Sequence, residues 1–190
     1  MKTIKRIFAV AFMALCTLAF NACIEEAAPM LPEYEGDLVE MTFEASVAET
    51  KAAFDGKRIN WEVGDKVAIY DGVAKREFTV SSVNGSMASI TGQVAVEANE
   101  FYAVTPYSAA REALPSDGKI YFNLPTEQVL ASGKDFDEDA FVAVGKVDGT
   151  RISFMNVVSL LKINIPENIT SVSLKGFNSE NISGAANAGL

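Results

Sequence analysis

Histidine is absent from this 190-residue chain, and cysteine and tryptophan are nearly so, with two and one copies. Without histidine there is no Ser-His-Asp triad, no Cys-His nucleophile pair and no imidazole metal ligand. Proton transfer would fall to Asp, Glu, Lys or Tyr, which leaves glycosidase-like carboxylate pairs as the main enzymatic option. Positive charge is scarce as well. Sixteen Lys and Arg stand against 25 Asp and Glu, a formal −9, with no basic cluster of the kind that phosphates require. This excludes nucleic acid as a partner. Both cysteines, Cys16 and Cys23, lie near the N-terminus, so nothing downstream can form a disulfide. A chain of this length buries roughly 70% of its unfolded surface and needs no such staple. Long apolar stripes at helical spacing are missing too.

What is present begins with the N-terminus. Lys2, Lys5 and Arg6 precede an uncharged apolar run from Ile7 to Phe20. That run is too short to span a bilayer and long enough for the hydrophobic part of a signal peptide. Small Ala22 then precedes Cys23. Residues 1–22 resemble a bacterial lipoprotein signal, which implies that Cys23 becomes the acylated first residue of the mature protein. The alternative is an ordinary signal peptide with an incidental cysteine. Each buried methylene contributes about 0.8 kcal/mol, so two or three acyl chains hold durably where one does not. Glu25 and Glu26 directly after the cysteine resemble a signal for display on the outer face of the outer membrane; the plainer reading is the start of a solvated linker. Loss of residues 1–22 removes three positive charges and no negative ones, leaving 13 basic against 25 acidic residues, a formal −12.

Residues 23–37 carry two prolines and four glutamates without periodicity, the composition of a flexible tether. The pattern then changes. Val39, Met41, Phe43, Ala45 and Val47 alternate with Glu40, Thr42, Glu44 and Ser46, which predicts a half-buried strand. Turn dipeptides follow at Asp55-Gly56, Asp71-Gly72, Asn84-Gly85, Asp117-Gly118 and Asp148-Gly149. Between them lie β-rich runs such as "RINWE", "KVAIY", "REFTV", "ASITG", "FYAVTPY", "KIYFNL", "FVAVGKV" and "RISFMN". Ten or eleven strands at this spacing predict an all-β, antiparallel sandwich or barrel. Helix is expected at most as one turn in "TEQVLASG". The end of the chain, "NSENISGAANAGL", is small and flexible, so no closing element is expected there.

Four groups of residues invite a chemical reading. Trp61 in "INWEVGDKVAIYDG" could stack on a sugar ring or anchor the core beside a hairpin turned by Gly64 and Asp65. Asp135, Asp137 and Asp139 begin like a calcium loop. The loop would need Gly and Glu where the chain has Ala140 and Lys146, so a solvated acidic loop is expected and no metal is. Tyr102, Tyr107 and Tyr121 read as core and rim of strands. Lys51 and Arg58, flanking "AAFDGK", are candidate cleavage points for a trypsin-like protease, or simply solvated charges on a hairpin.

Taken in order, "FNAC", "TKAAFDGKRINWEVGDKVAIY", "FYAVTPYS", "LPTEQVLASGKDFDEDAFVAVGKV" and "ISFMNVVSLLKINIPENITSVSLKG" resemble the fimbrillin family, specifically its Mfa-like lipoproteins. The resemblance implies a transthyretin-like β-sandwich with Greek-key connections over residues 38–190, as the N-terminal domain of a protein that usually carries a second. It implies a non-enzymatic, surface-exposed subunit of pilus-type appendages, anchored in the outer membrane through Cys23 and processed at Lys51 or Arg58. The strand Val39–Val47 would then be removable, and a strand of another subunit would satisfy the edge it leaves. The implied partners are other pilin subunits and host or glycan ligands, with no cofactor. The other readings are a surface glycan-binding lipoprotein, for which Trp61 would have to be exposed, and a hydrolase with two carboxylates about 5 to 9.5 Å apart.

Overall fold

The structure is a computed structural model, and it describes residues 34–47, 61–129 and 137–159 without a break. Beyond these it describes 164, 166–169, 171–173, 177–178 and 182–190. Among these residues are nine strands: β1 Leu38–Val47, β2 Lys66–Tyr70, β3 Lys75–Asn84, β4 Met87–Ala95, β5 Tyr102–Thr105, β6 Lys119–Leu124, β7 Ala143–Asp148, β8 Arg151–Asn156 and β9 Gly184–Gly189. Two single 3-10 turns, Tyr107–Ala109 and Glu138–Ala140, are the only helical pieces among them. The protein is all-β.

Seven strands close into a barrel in the order β1-β4-β3-β2-β5-β7-β8, and β6 and β9 form a separate two-stranded sheet. The hairpins β2-β3-β4 lie beside β1, which reaches β2 by a long connection. That is a Greek-key arrangement. One pairing departs from the expected antiparallel sheet: β1 runs parallel to β8, Glu44 opposite Arg151 through Val47 opposite Phe154. Closure forces it. A seven-membered ring of strands has an odd count, so neighbours cannot alternate in direction all the way round.

The turn chemistry explains the hairpins. Asp117 and Gly118 both take positive φ, 52° and 67°, as a type I′ turn demands, and Ser116 pairs with Lys119 across it. Turns also form at Asp71-Gly72, Asn84-Gly85 and Asp148-Gly149, whereas Asp55-Gly56 lies outside the described residues.

Period-two alternation separates two cores. Phe43 and Ala45 of β1, Val67 and Ile69 of β2, Phe78 and Val80 of β3, Ile90 and Val94 of β4, and Ile152 and Phe154 of β8 fill the barrel. Phe43 lies between Phe78 and Phe101, with ring centroids 5.5 and 5.4 Å away. The intervening residues Ala68, Tyr70, Val104 and Val144 face out of the barrel. There Ile120, Phe122, Ala186 and Ala188 of the β6-β9 sheet cover them. Strands β2, β5 and β7 are therefore buried on both faces, which is why "KVAIY", "FYAV" and "FVAV" read as continuous apolar runs rather than alternating ones.

One close approach fixes β4 against β3. Gly92 stands opposite Phe78, and a Cβ built on it would lie 2.5 Å from the Phe78 ring. Gly92→Ala should therefore lower stability by about 1–3 kcal/mol through overpacking, read as an earlier midpoint in urea with an unchanged slope.

Two further expectations are corrected. "RINWE" is no strand at its described end, since Trp61 and Glu62 lead into a turn at Val63-Gly64. Asp65 organises that turn, accepting from the Glu62 N–H at 2.8 Å and donating its own N–H to the Glu62 carbonyl at 3.1 Å. The tail is not without a closing element either: "GAANAG" is β9, in register with β6 from Gly184 opposite Leu124 to Gly189 opposite Lys119. Its side chains carry little strand preference. They are small enough for Ala186 and Ala188 to sit close on the outer core, and β6 supplies the backbone partners.

Candidate functional site

Strand β1 closes the barrel, and its two edges are held unequally. On one side it pairs antiparallel with β4 along nine residues, Leu38 opposite Ala95 through Ser46 opposite Met87. On the other it pairs with β8 along four, in the parallel mode, whose slanted bonds are slightly weaker per residue. Among the described residues, three further bonds supplement that second edge. The Glu44 N–H donates to the Thr150 carbonyl at 2.8 Å, Ser46 Oγ to the Ile152 carbonyl at 3.4 Å, and Arg151 Nε to Glu44 at 3.4 Å. The last pair is exposed and contributes little. Side chains do more. Phe43 and Ala45 are fully buried and Met41 packs partly against the same core. Glu40, Thr42 and Glu44 face solvent. Lifting β1 out would thus uncover a backbone edge on each side and an apolar slot between Phe78 and Phe101.

The entry of β1 is fastened by a polar cluster. Asp71, at the end of β2, has a side chain with no exposed surface, yet every lone-pair direction is used. Its Oδ1 accepts from the N–H groups of Val73 and Ala74, closing the turn that follows. Its Oδ2 accepts from the Ala95 N–H at 3.0 Å and from Arg76 Nε at 2.7 Å. Burial opposes the charged form, but the Ala95 N–H, Arg76 and the two turn N–H groups outweigh it and hold the carboxyl below its ordinary range. Arg76 shares the inward parity of Phe78 and Val80, so an ion pair replaces apolar packing at this end.

The Arg76 guanidinium lies 5.0 Å from the centre of the Tyr34 ring, an arrangement that attracts through the ring quadrupole. Tyr34 Oη in turn donates to Glu97 at 2.7 Å. That bond pushes the Tyr34 phenol up to about 12 and holds the Glu97 carboxyl below its usual value. The Val96 N–H donates to the Asp37 carbonyl at 3.1 Å, extending the β1–β4 pairing one step outward. Residues 34–37, expected to be the end of a tether, are held against the β4–β5 loop.

The residues singled out from sequence fall as follows. Cys23, Lys51 and Arg58 lie outside the described residues. Lys51 and Arg58 belong to the connection between Val47, the end of β1, and Trp61. Trp61 is 6% exposed, packed in the barrel with its ring 5.6 Å from Phe154. It presents no face to a sugar, and its Nε1 is buried without a hydrogen-bond partner. The tyrosines are committed locally: Tyr102 Oη donates to Glu100, Tyr107 lies under the Lys75 ammonium, and Tyr121 shares a hydrogen bond with Ser116. Asp137 caps the 3-10 turn that follows it, accepting from the N–H groups of Val129 and Asp139, while Asp135 is not described.

Sequence reasoning missed Asp71 and Tyr34. Asp71-Gly72 was legible as a turn, and the Arg five residues on was the available hint of an ion pair. Tyr34 offered no such hint. No protein-family model matches this sequence, and neither a curated protein nor a solved structure does.

Proposed function

We propose that this chain is a surface-exposed, lipid-anchored structural subunit of a pilus-type appendage, of the fimbrillin-like kind its sequence resembles, and that β1 is the strand it exchanges. The reading is non-enzymatic: the anchor is Cys23, the partners are other subunits, and cleavage occurs at Lys51 or Arg58. In this reading the barrel is a transthyretin-like sandwich closed along the β1–β8 seam.

The observation that carries the reading is the standing of β1. Its seam with β8 is four parallel pairs, the one parallel seam of the barrel among the described residues, and the candidate cleavage points Lys51 and Arg58 lie in the connection after it. A cut there would leave β1 bound without a covalent link to the barrel. An incoming strand with apolar residues at alternate positions would satisfy the same N–H and C=O groups. The glycan-binding alternative loses its support with the burial of Trp61.

The test uses the purified chain, cut with a Lys/Arg-specific protease and incubated with a fluorescent peptide of residues 38–47. Stable uptake of label by the cut chain, and none by the uncut chain, is the expected result. A cut chain that retains its own β1 and takes up no peptide over days overturns the proposal.

A further inference from the structure

We propose that Tyr34 is a clasp that controls how readily β1 leaves the barrel. This deepens the reading of β1 as an exchangeable strand and rests on it for its biological use. Three observations converge. First, Tyr34 precedes β1 by only four residues yet bonds to Glu97, 63 positions away on the β4–β5 loop. Second, its ring is stacked against Arg76 of β3. Third, Arg76 is immobilised by Asp71, whose carboxylate also takes the Ala95 N–H, the backbone opposite Leu38.

The clasp is therefore mounted on a buried post and touches the segment where β1 begins. A strand that peels from the barrel must start at an end. At the far end, β1 is held by β8 over Glu44–Val47; at the near end those pairs are absent among the described residues, and Tyr34 supplies the restraint there instead. Peeling from the tether side requires the Tyr34–Glu97 bond and the Arg76 contact to break first. Tension arriving along the tether would load this clasp before it loads the β1–β4 pairs.

Hydrogen exchange of the intact, uncut chain tests this without invoking strand exchange. In Tyr34→Phe and in Glu97→Ala, β1 amides should exchange about ten-fold faster than in wild type, with β7 amides unchanged, because the lost bond is charge-assisted. The double variant should be no faster than either single one, since both remove the same bond. Tyr34→Ala, which also loses the ring over Arg76, should be faster still. Wild-type β1 rates in all variants overturn the clasp, and so does an equal acceleration of β1 and β7, which would signal general loosening. Selective acceleration of β1 in a chain that never takes up the 38–47 peptide after cutting would uphold the clasp and sink the exchange reading instead.

Discussion

Asp71→Ala should destabilise the protein by about 3–5 kcal/mol, the range for removing one partner of a buried ion pair. The loss is large because four donors converge on one carboxylate. Alanine leaves the Arg76 guanidinium, whose Nη2 already lacks a partner, as a buried charge. It also opens the turn after β2 and frees the Ala95 N–H beside the start of β1. Asp71→Asn should fall in between, because one oxygen can still accept while the charge that Arg76 needs is gone. The pH dependence has a definite sign. The fold holds this carboxyl below the value of 3.8 it would have unfolded. The unfolded chain therefore binds the proton first, and the stabilisation is present in full above that value and lost as pH falls through the lower folded one. Urea midpoints at pH 7 and near pH 3 should show a smaller difference for Asp71→Asn than for wild type. Equal differences would mean the carboxylate contributes nothing through its charge.

How much of this was legible beforehand depends on the range over which each signal acts. The alternation from Val39 to Val47 and the Asx-Gly turns are local, and β1 and four hairpin or turn positions follow from them directly. The closure of the barrel is not local. It joins Glu44 to Arg151 across more than a hundred residues, through backbone groups that carry no sequence signature. The parallel sense of that seam is invisible for the same reason. Strand β9 escaped because glycine and alanine give no alternation to read; its strand form comes from β6, not from its own side chains. Trp61 was open to two readings, since an aromatic beside a turn can anchor a core or stack on a sugar, and the structure buries it in the core. Tyr34 sat in a stretch whose prolines and glutamates describe a tether, and composition says nothing about a glutamate 63 residues away.

Phe43→Ala should produce the second large loss, about 3–5 kcal/mol, the range for truncating a fully buried Phe. Phe43 has no exposed surface and contacts two other rings, so the cavity it leaves is walled by Phe78 and Phe101 and cannot collapse easily. Those ring pairs contribute about 0.5–1.5 kcal/mol each beyond area burial, on the scale of measured aromatic pairs. For a chain of this length, a loss of that size corresponds to a melting temperature lower by about 10 °C. Thr42 is the contrast within the same strand. It faces solvent and shares only a hydroxyl contact of 3.0 Å with Thr91, so Thr42→Ala should stay within about 0.5 kcal/mol of wild type. The pair of variants also separates core packing from strand retention. Phe43 is the deepest anchor that β1 has, so a protease-cut Phe43→Ala chain should release its own β1 and take up the wild-type 38–47 peptide faster than the cut wild-type chain does. A Phe43→Ala chain that melts earlier but holds β1 as long as wild type would place the barrier to release in the β4 ladder. In that case the side chains of β1 would fix the stability of the barrel and leave the rate of exchange to the backbone.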